Sequence, residues 1–127
     1  MEEEFRAFLL ATSTITSQVG DRINFGTQPQ GHLFPAIVLN TVSDIDGAHM
    51  NGGGPSEGRV QVDCYAATYG AAKLVSRAVR SALHLYRGGG FLLIKQISAN
   101  DSREGGTNEA ERPYRSRIDF KTIWRPE

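Results

Sequence analysis

Arg59-Val60-Gln61-Val62-Asp63-Cys64-Tyr65-Ala66 alternates without a fault. In an extended chain Val60, Val62, Cys64 and Ala66 fall on one side, and Arg59, Gln61, Asp63 and Tyr65 on the other. That period predicts a half-buried β-strand. Two residues later Thr68 offers a hydroxyl N-cap for a helix. From Tyr69 to Tyr86, Ala71, Ala72, Val75, Ala78, Val79, Ala82 and Tyr86 line one helical face, and Lys73, Arg77, Arg80 and His84 the other. Gly88-Gly89-Gly90 is expected to end this helix.

Upstream, Ala36–Ser43 (AIVLNTVS) is β-branched and apolar on both faces, as in a strand covered on both sides. Pro35 precedes it and biases Phe34 toward an extended conformation. Glu2–Thr12 predicts a short helix, with Phe5, Phe8, Leu9 and Thr12 at helical spacing and three glutamates in the first turn, where the helix dipole favours them. Thr12–Thr16 is rich in Ser and Thr and is expected to stop it, and Val19–Ile23 to turn into a short extended piece. Gly26–Pro35 and Asp44–Gly58 carry the glycines and prolines of loops. Downstream, Phe91–Ser98 predicts a third strand, Ala99–Arg112 a polar loop, and Tyr114–Trp124 a last strand with Ile118, Phe120 and Trp124 on one face. The expected fold is a single α+β domain over residues 1–127: a four-stranded, mainly antiparallel sheet with two helices on it, in the order α-β-β-α-β-β, with long loops between strands.

Composition narrows the function. Fourteen basic residues balance fourteen acidic ones. A general nucleic-acid binder needs a surplus of Lys and Arg, and so does a polybasic membrane anchor. No apolar run approaches the roughly 20 residues that cross a bilayer. The start is acidic, the opposite of a signal peptide's basic lead. One cysteine, Cys64, cannot form an internal disulfide and is expected to stay reduced in the cytoplasm.

No constellation for catalysis or metal binding is legible. Cys64 shares the apolar side of its strand and is expected to act as a small hydrophobe. Asp63, on the other side, is placed to pair with an arginine of a neighbouring strand. His32, His49 and His84 have no HxxxH, CxxC or HExxH spacing among or around them. The glycine runs at 52–54 and 88–90 lack the Lys and Ser/Thr ending of a phosphate loop. No cofactor, metal or turnover is expected.

Four pieces in order carry a resemblance: Val19–Ile23 after an N-terminal helix, Gln30–Leu39 with Phe34-Pro35 leading into a strand, Arg59–Tyr69 running into a helix, and Arg117-Ile118-Asp119-Phe120 leading to Trp124. Together they resemble the phage tail-completion, tail-terminator or head–tail joining family, also found in gene-transfer-agent particles. Gly70 departs from the helix former expected at its place. The resemblance implies a structural virion protein in the tail–neck region, assembled in the host cytoplasm. It implies a six-fold ring of identical subunits that caps the head-proximal end of the tail tube, stops its growth and joins the head connector. Its implied partners are other copies of itself, the major tail tube protein and the connector, with DNA passing through the channel unread. The alternative in the same particle is a neck or head-completion adaptor; further away stand a small α+β enzyme and a ligand-binding module.

A ring contact needs two different patches per subunit. The residues proposed for subunit or tube contact are Asp46, His49, Met50, Arg59, Asp63, Lys73, Arg77, Arg80, Arg103, Glu104, Arg115 and Arg117. The loops at 44–58 and 99–112 are the proposed reach toward the tube or neck.

Overall fold

The computed structural model describes residues 2–26, 35–45, 48–49, 52–53, 56–88, 90–103 and 114–125. The helices are α1 (Glu2–Leu10), α2 (Ser13–Val19) and α3 (Tyr69–Leu83). The strands are β1 (Ile23–Phe25), β2 (Ala36–Ile45), β3 (Ala48–His49), β4 (Gly52–Gly53), β5 (Ser56–Ala66), β6 (Tyr86–Gly88), β7 (Phe91–Arg103) and β8 (Tyr114–Trp124). β3 and β4 form a small antiparallel ladder of their own. The others make one curled, mixed six-stranded sheet in the order β1-β2-β5-β8-β7-β6. Only the β1–β2 pair in it is parallel.

The alternation at 59–66 does what the sequence predicts. Val60, Val62, Cys64 and Ala66 are fully buried. Across the β5–β8 pair Val60 meets Phe120 and Val62 meets Ile118, so two strands present one apolar side. Val75, Val79 and Leu83 of α3, and Phe5, Leu9, Ile15 and Val19 of α1 and α2, close over that side as a single core. Thr68 caps α3, its Oγ1 accepting the Ala71 N–H at 3.2 Å. Burial pushes the Cys64 thiol pKa up, and the neighbouring Asp63 charge adds to it, so the thiol stays protonated.

A four-stranded, mainly antiparallel sheet with two helices is overturned: among the described residues the sheet has six strands and is mixed, and there are three helices. The added strands, β1 and β6, are each three residues long, too short to show a period. α2 occupies the Ser/Thr stretch expected to stop α1. Its hydroxyls fold back on the helix, Thr16 Oγ1 donating to the Thr12 carbonyl at 3.3 Å and Ser17 Oγ to that of Thr14 at 3.3 Å. The pair Ile15 and Val19, four apart and both buried, holds it down.

Other boundaries moved as well. β7 runs on to Arg103 through the polar residues expected to be loop, because each finds a register partner on β8. Tertiary pairing there overrides a weak strand propensity. β2 and β5 likewise extend into the predicted 44–58 loop, pairing as far as Ile45 with Glu57. Residues 46–47, 50–51, 54–55 and 104–113 lie outside the described residues.

α3 ends at Leu83, three residues before the tyrosine expected to close it. The reversal is made by Leu85 at φ 65°, the left-handed conformation that glycine or asparagine usually takes after a helix. Gly90, at φ 92°, is needed where it stands, since a Cβ there would lie 2.5 Å from the Trp124 ring. Leu85 has no such steric reason and is 58% exposed. Leu85→Gly should therefore raise the stability of the isolated chain by up to about 1 kcal/mol. Urea denaturation followed by circular dichroism would show it as a higher midpoint at unchanged slope.

Candidate functional site

The side of the sheet away from the core carries charge instead of aliphatic carbon. Arg59, Gln61, Asp63 and Tyr65 of β5 stand beside Lys121, Asp119, Arg117 and Arg115 of β8. Opposite charges fall on facing or diagonal positions, and these are the pairs that stabilise a sheet. Arg117 grips Asp63 with both arms, Nε to Oδ1 at 2.7 Å and Nη2 to Oδ2 at 3.2 Å. Arg59 pairs with Asp119, which also accepts from Ser98 Oγ at 3.2 Å on β7. Lys121 and Glu57 extend the row at 3.8 Å, both largely exposed. The expected pairing of Asp63 with an arginine of the adjacent strand is thus present.

These carboxylates are not surface groups. Asp63 is 2% exposed and Asp119 5%, each bonded by an arginine of the neighbouring strand. Asp119 Oδ1 and Arg59 Nε are buried and have no hydrogen-bond partner among the described residues. The hydrogen bonds to Asp63 raise the Arg117 pKa above its ordinary value, against a smaller opposing effect of burial.

The basic helix stripe is a second cluster, on the opposite side of the molecule. It is not a free row of cations. Lys73 Nζ donates to Asp101 at 3.2 Å, Arg80 Nε donates to Gln96 Oε1 at 2.6 Å, and His84 Nδ1 accepts the Gln96 N–H at 3.2 Å. Arg77 is exposed and makes no ion pair among the described residues. Asp101 gathers Lys73, Tyr69 and Ser116. Burial pushes its carboxyl up, but the hydrogen bonds from Ser116, Lys73 and Tyr69 outweigh this and hold it below the usual carboxylate range.

The predicted contact residues therefore divide. Arg59, Asp63, Arg115 and Arg117 share the ion-pair side of the sheet, and Lys73, Arg77 and Arg80 ride on α3. Asp46, Met50 and Glu104 lie outside the described residues, as do the side chains of His49 and Arg103. Asp119, Asp101 and Ser116 were not singled out in the sequence. Asp119 was legible as the acid flanked by Arg117 and Lys121 on a charged strand face. Asp101 was not, since its partners come from α3 and β8. Among the described residues no group of His, Cys, Asp or Glu could hold a metal ion. Among the described residues no helix is long and apolar enough to cross a membrane.

The family model for tail completion protein gp17 matches residues 3–125. The chain belongs to that family. A solved chain from the virion of a native gene transfer agent particle shares the fold at TM-score 0.74 and 15% identity, covering 98% of this chain and 94% of that one. The search of curated proteins found no match. This tail-completion protein is a structural component of phage-type tails, and its place is the virion. Its family is one of structural virion proteins, not one defined by turnover.

Two outcomes follow from the paired charges. Arg117→Ala would leave Asp63 buried and unpaired and should destabilise the fold by about 3 kcal/mol in urea titrations at neutral pH. Asp101, with its folded pKa lowered, contributes stability that is present above the unfolded value near about 4 and is lost as pH falls through the folded value. Asp101→Asn removes that contribution, so its melting temperature should fall less steeply than the wild type's below about pH 4.

Proposed function

We propose that this protein is the tail terminator: a ring of identical subunits, six by family resemblance, on the head-proximal end of a long tail tube. It stops tube growth and offers the surface to which the head connector binds. The observation that carries this reading is the family match across nearly the whole chain, residues 3–125. The molecule's two dissimilar charged surfaces, the ion-pair side of the sheet and the α3 side, suit the head-to-tail contacts a ring requires.

Arg59, Arg115, Arg117, Lys73, Arg77 and Arg80 are the described residues assigned to subunit, tube or channel contact. Asp63 supports that surface from beneath by fixing Arg117. A channel wall built from paired charges would let DNA pass with weak, unread phosphate contacts. Electron microscopy of particles assembled without this protein tests the assignment. Overlong tails detached from filled heads are the expected result. Tails of normal length left unattached would make it a neck adaptor instead, and normal particles would end the structural reading.

A further inference from the structure

The sheet is stepped at both edges, and the steps match. Register carries one row across five strands: Ile23 of β1, Ile37, Cys64, Ser116 and Asp101 of β7. Another row runs Asp44 of β2, Gly58, Thr122, Ile94 and Tyr86 of β6. The first row lacks β6 and the second lacks β1. β1 thus covers β2 only along Ile37–Leu39, and β6 covers β7 only along Phe91–Ile94. Among the described residues, no strand lies beside the rest of either outer strand.

We propose that these edges join copies of this chain: the β7–β6 edge of one protomer receives the β1–β2 edge of the next. With rows aligned, β1 of one copy fills the place beside β7 that β6 leaves empty. β6 of the other fills the place beside β2 that β1 leaves empty. The two short strands become the two ends of one shared strand position. Their directions agree. β2, β5, β8 and β7 alternate in direction, β1 runs with β2, and β6 runs against β7. Both short strands therefore point the same way, parallel to β2 of one copy and antiparallel to β7 of the other.

Part of the outer hydrogen bonding of β1 is already used, since the Ile23 carbonyl accepts Arg6 Nε at 2.6 Å. The outward backbone of Phe25 remains for the joint.

Between the two short strands lies a middle row with only four strands: Thr41, Val60, Phe120 and Gln96. A bulge stands at each edge of this row, one between Thr41 and Ser43 and one between Gln96 and Ser98. The extra residues are Val42, 51% exposed, and Ile97, 45% exposed. Bulges often serve to turn an open edge away from strangers, with charged side chains or proline beside them. Here each edge shows an aliphatic residue at the same height. On the same edge as Ile97, Leu85 has its N–H bonded to the Ile94 carbonyl of β7, and it holds its unfavourable left-handed conformation with its side chain in solvent. The joint gives these three side chains a common place to be buried. The contact is heterologous, as a ring of identical subunits requires, and repeating it gives a closed ring when the rotation per step closes.

This deepens the ring reading and rests on it. The test is native mass spectrometry of the full chain with Val42→Lys, Ile97→Lys and Leu85→Gly, each checked by circular dichroism for an unchanged fold. Wild type should form the ring. Each lysine variant should be monomeric, and Leu85→Gly should lose ring mass while folding at least as well as wild type. An equimolar mixture of the two lysine variants should give dimers and nothing larger, because each retains a different sound edge and one joint can form. Lysine variants that still build rings, or a mixture that stays monomeric, would overturn the joint and leave the ring reading standing. A wild-type chain that stays monomeric even on purified tail tubes would instead overturn the ring reading.

Discussion

The pairing of β5 with β8 is the constraint on which everything else hangs. Eleven consecutive residues on each strand keep one register, from Ser56 opposite Trp124 to Ala66 opposite Tyr114. A slip of one residue would turn Val60, Val62 and Cys64 into solvent and drive Arg59 and Asp63 into the core. Both sides oppose that slip. Aliphatic burial holds one, and the Asp63–Arg117 and Asp119–Arg59 pairs hold the other. A buried ion pair is seldom a net source of stability, but it penalises misalignment heavily, because a displaced carboxylate would be stranded. We assign these pairs the role of register keys in the central strands.

What could be read in the sequence follows from how far each signal extends along the chain. β5, α3 and β8 have long, unbroken periods, and their buried sides emerged as expected. So did Thr68 as the cap and Cys64 as a core residue. β7 was read as a strand only as far as Ser98; its far end is polar, and bulges at Leu92 and Ile97 break its alternation twice, so its run to Arg103 did not show. β6 hid because three residues carry no period, and β1, as short, was read only as a short extended piece after Val19–Ile23 and not as a strand of the sheet. α2 hid because serine and threonine are common at helix ends; only the Ile15–Val19 spacing spoke for it. Of the charged surface, the strand-borne residues were legible from alternation. The Asp101 cluster, which joins α3, β7 and β8, needed the fold.

The family match and the architecture bear on each other. No binding chemistry converges in the described residues: the buried carboxylates of Asp63 and Asp119 are tied to arginines and that of Asp101 to Lys73, Tyr69 and Ser116, the thiol is buried, and the described histidine side chain, His84, accepts a backbone N–H. For a tail protein the informative features are therefore edges and faces. The charge row, the α3 surface and the two stepped edges each point in a different direction, as a subunit with several neighbours requires.

Cys64 has a practical consequence. It sits near the C-terminal end of β5, an interior strand flanked by β2 and β8, with its side chain fully buried. A thiol reagent reaches it only when the central strands part. Its rate of alkylation is thus a built-in clock for sheet opening, readable in a crude lysate or on an intact particle. Because the only other sulfur-bearing side chains are methionines, the clock has a single hand.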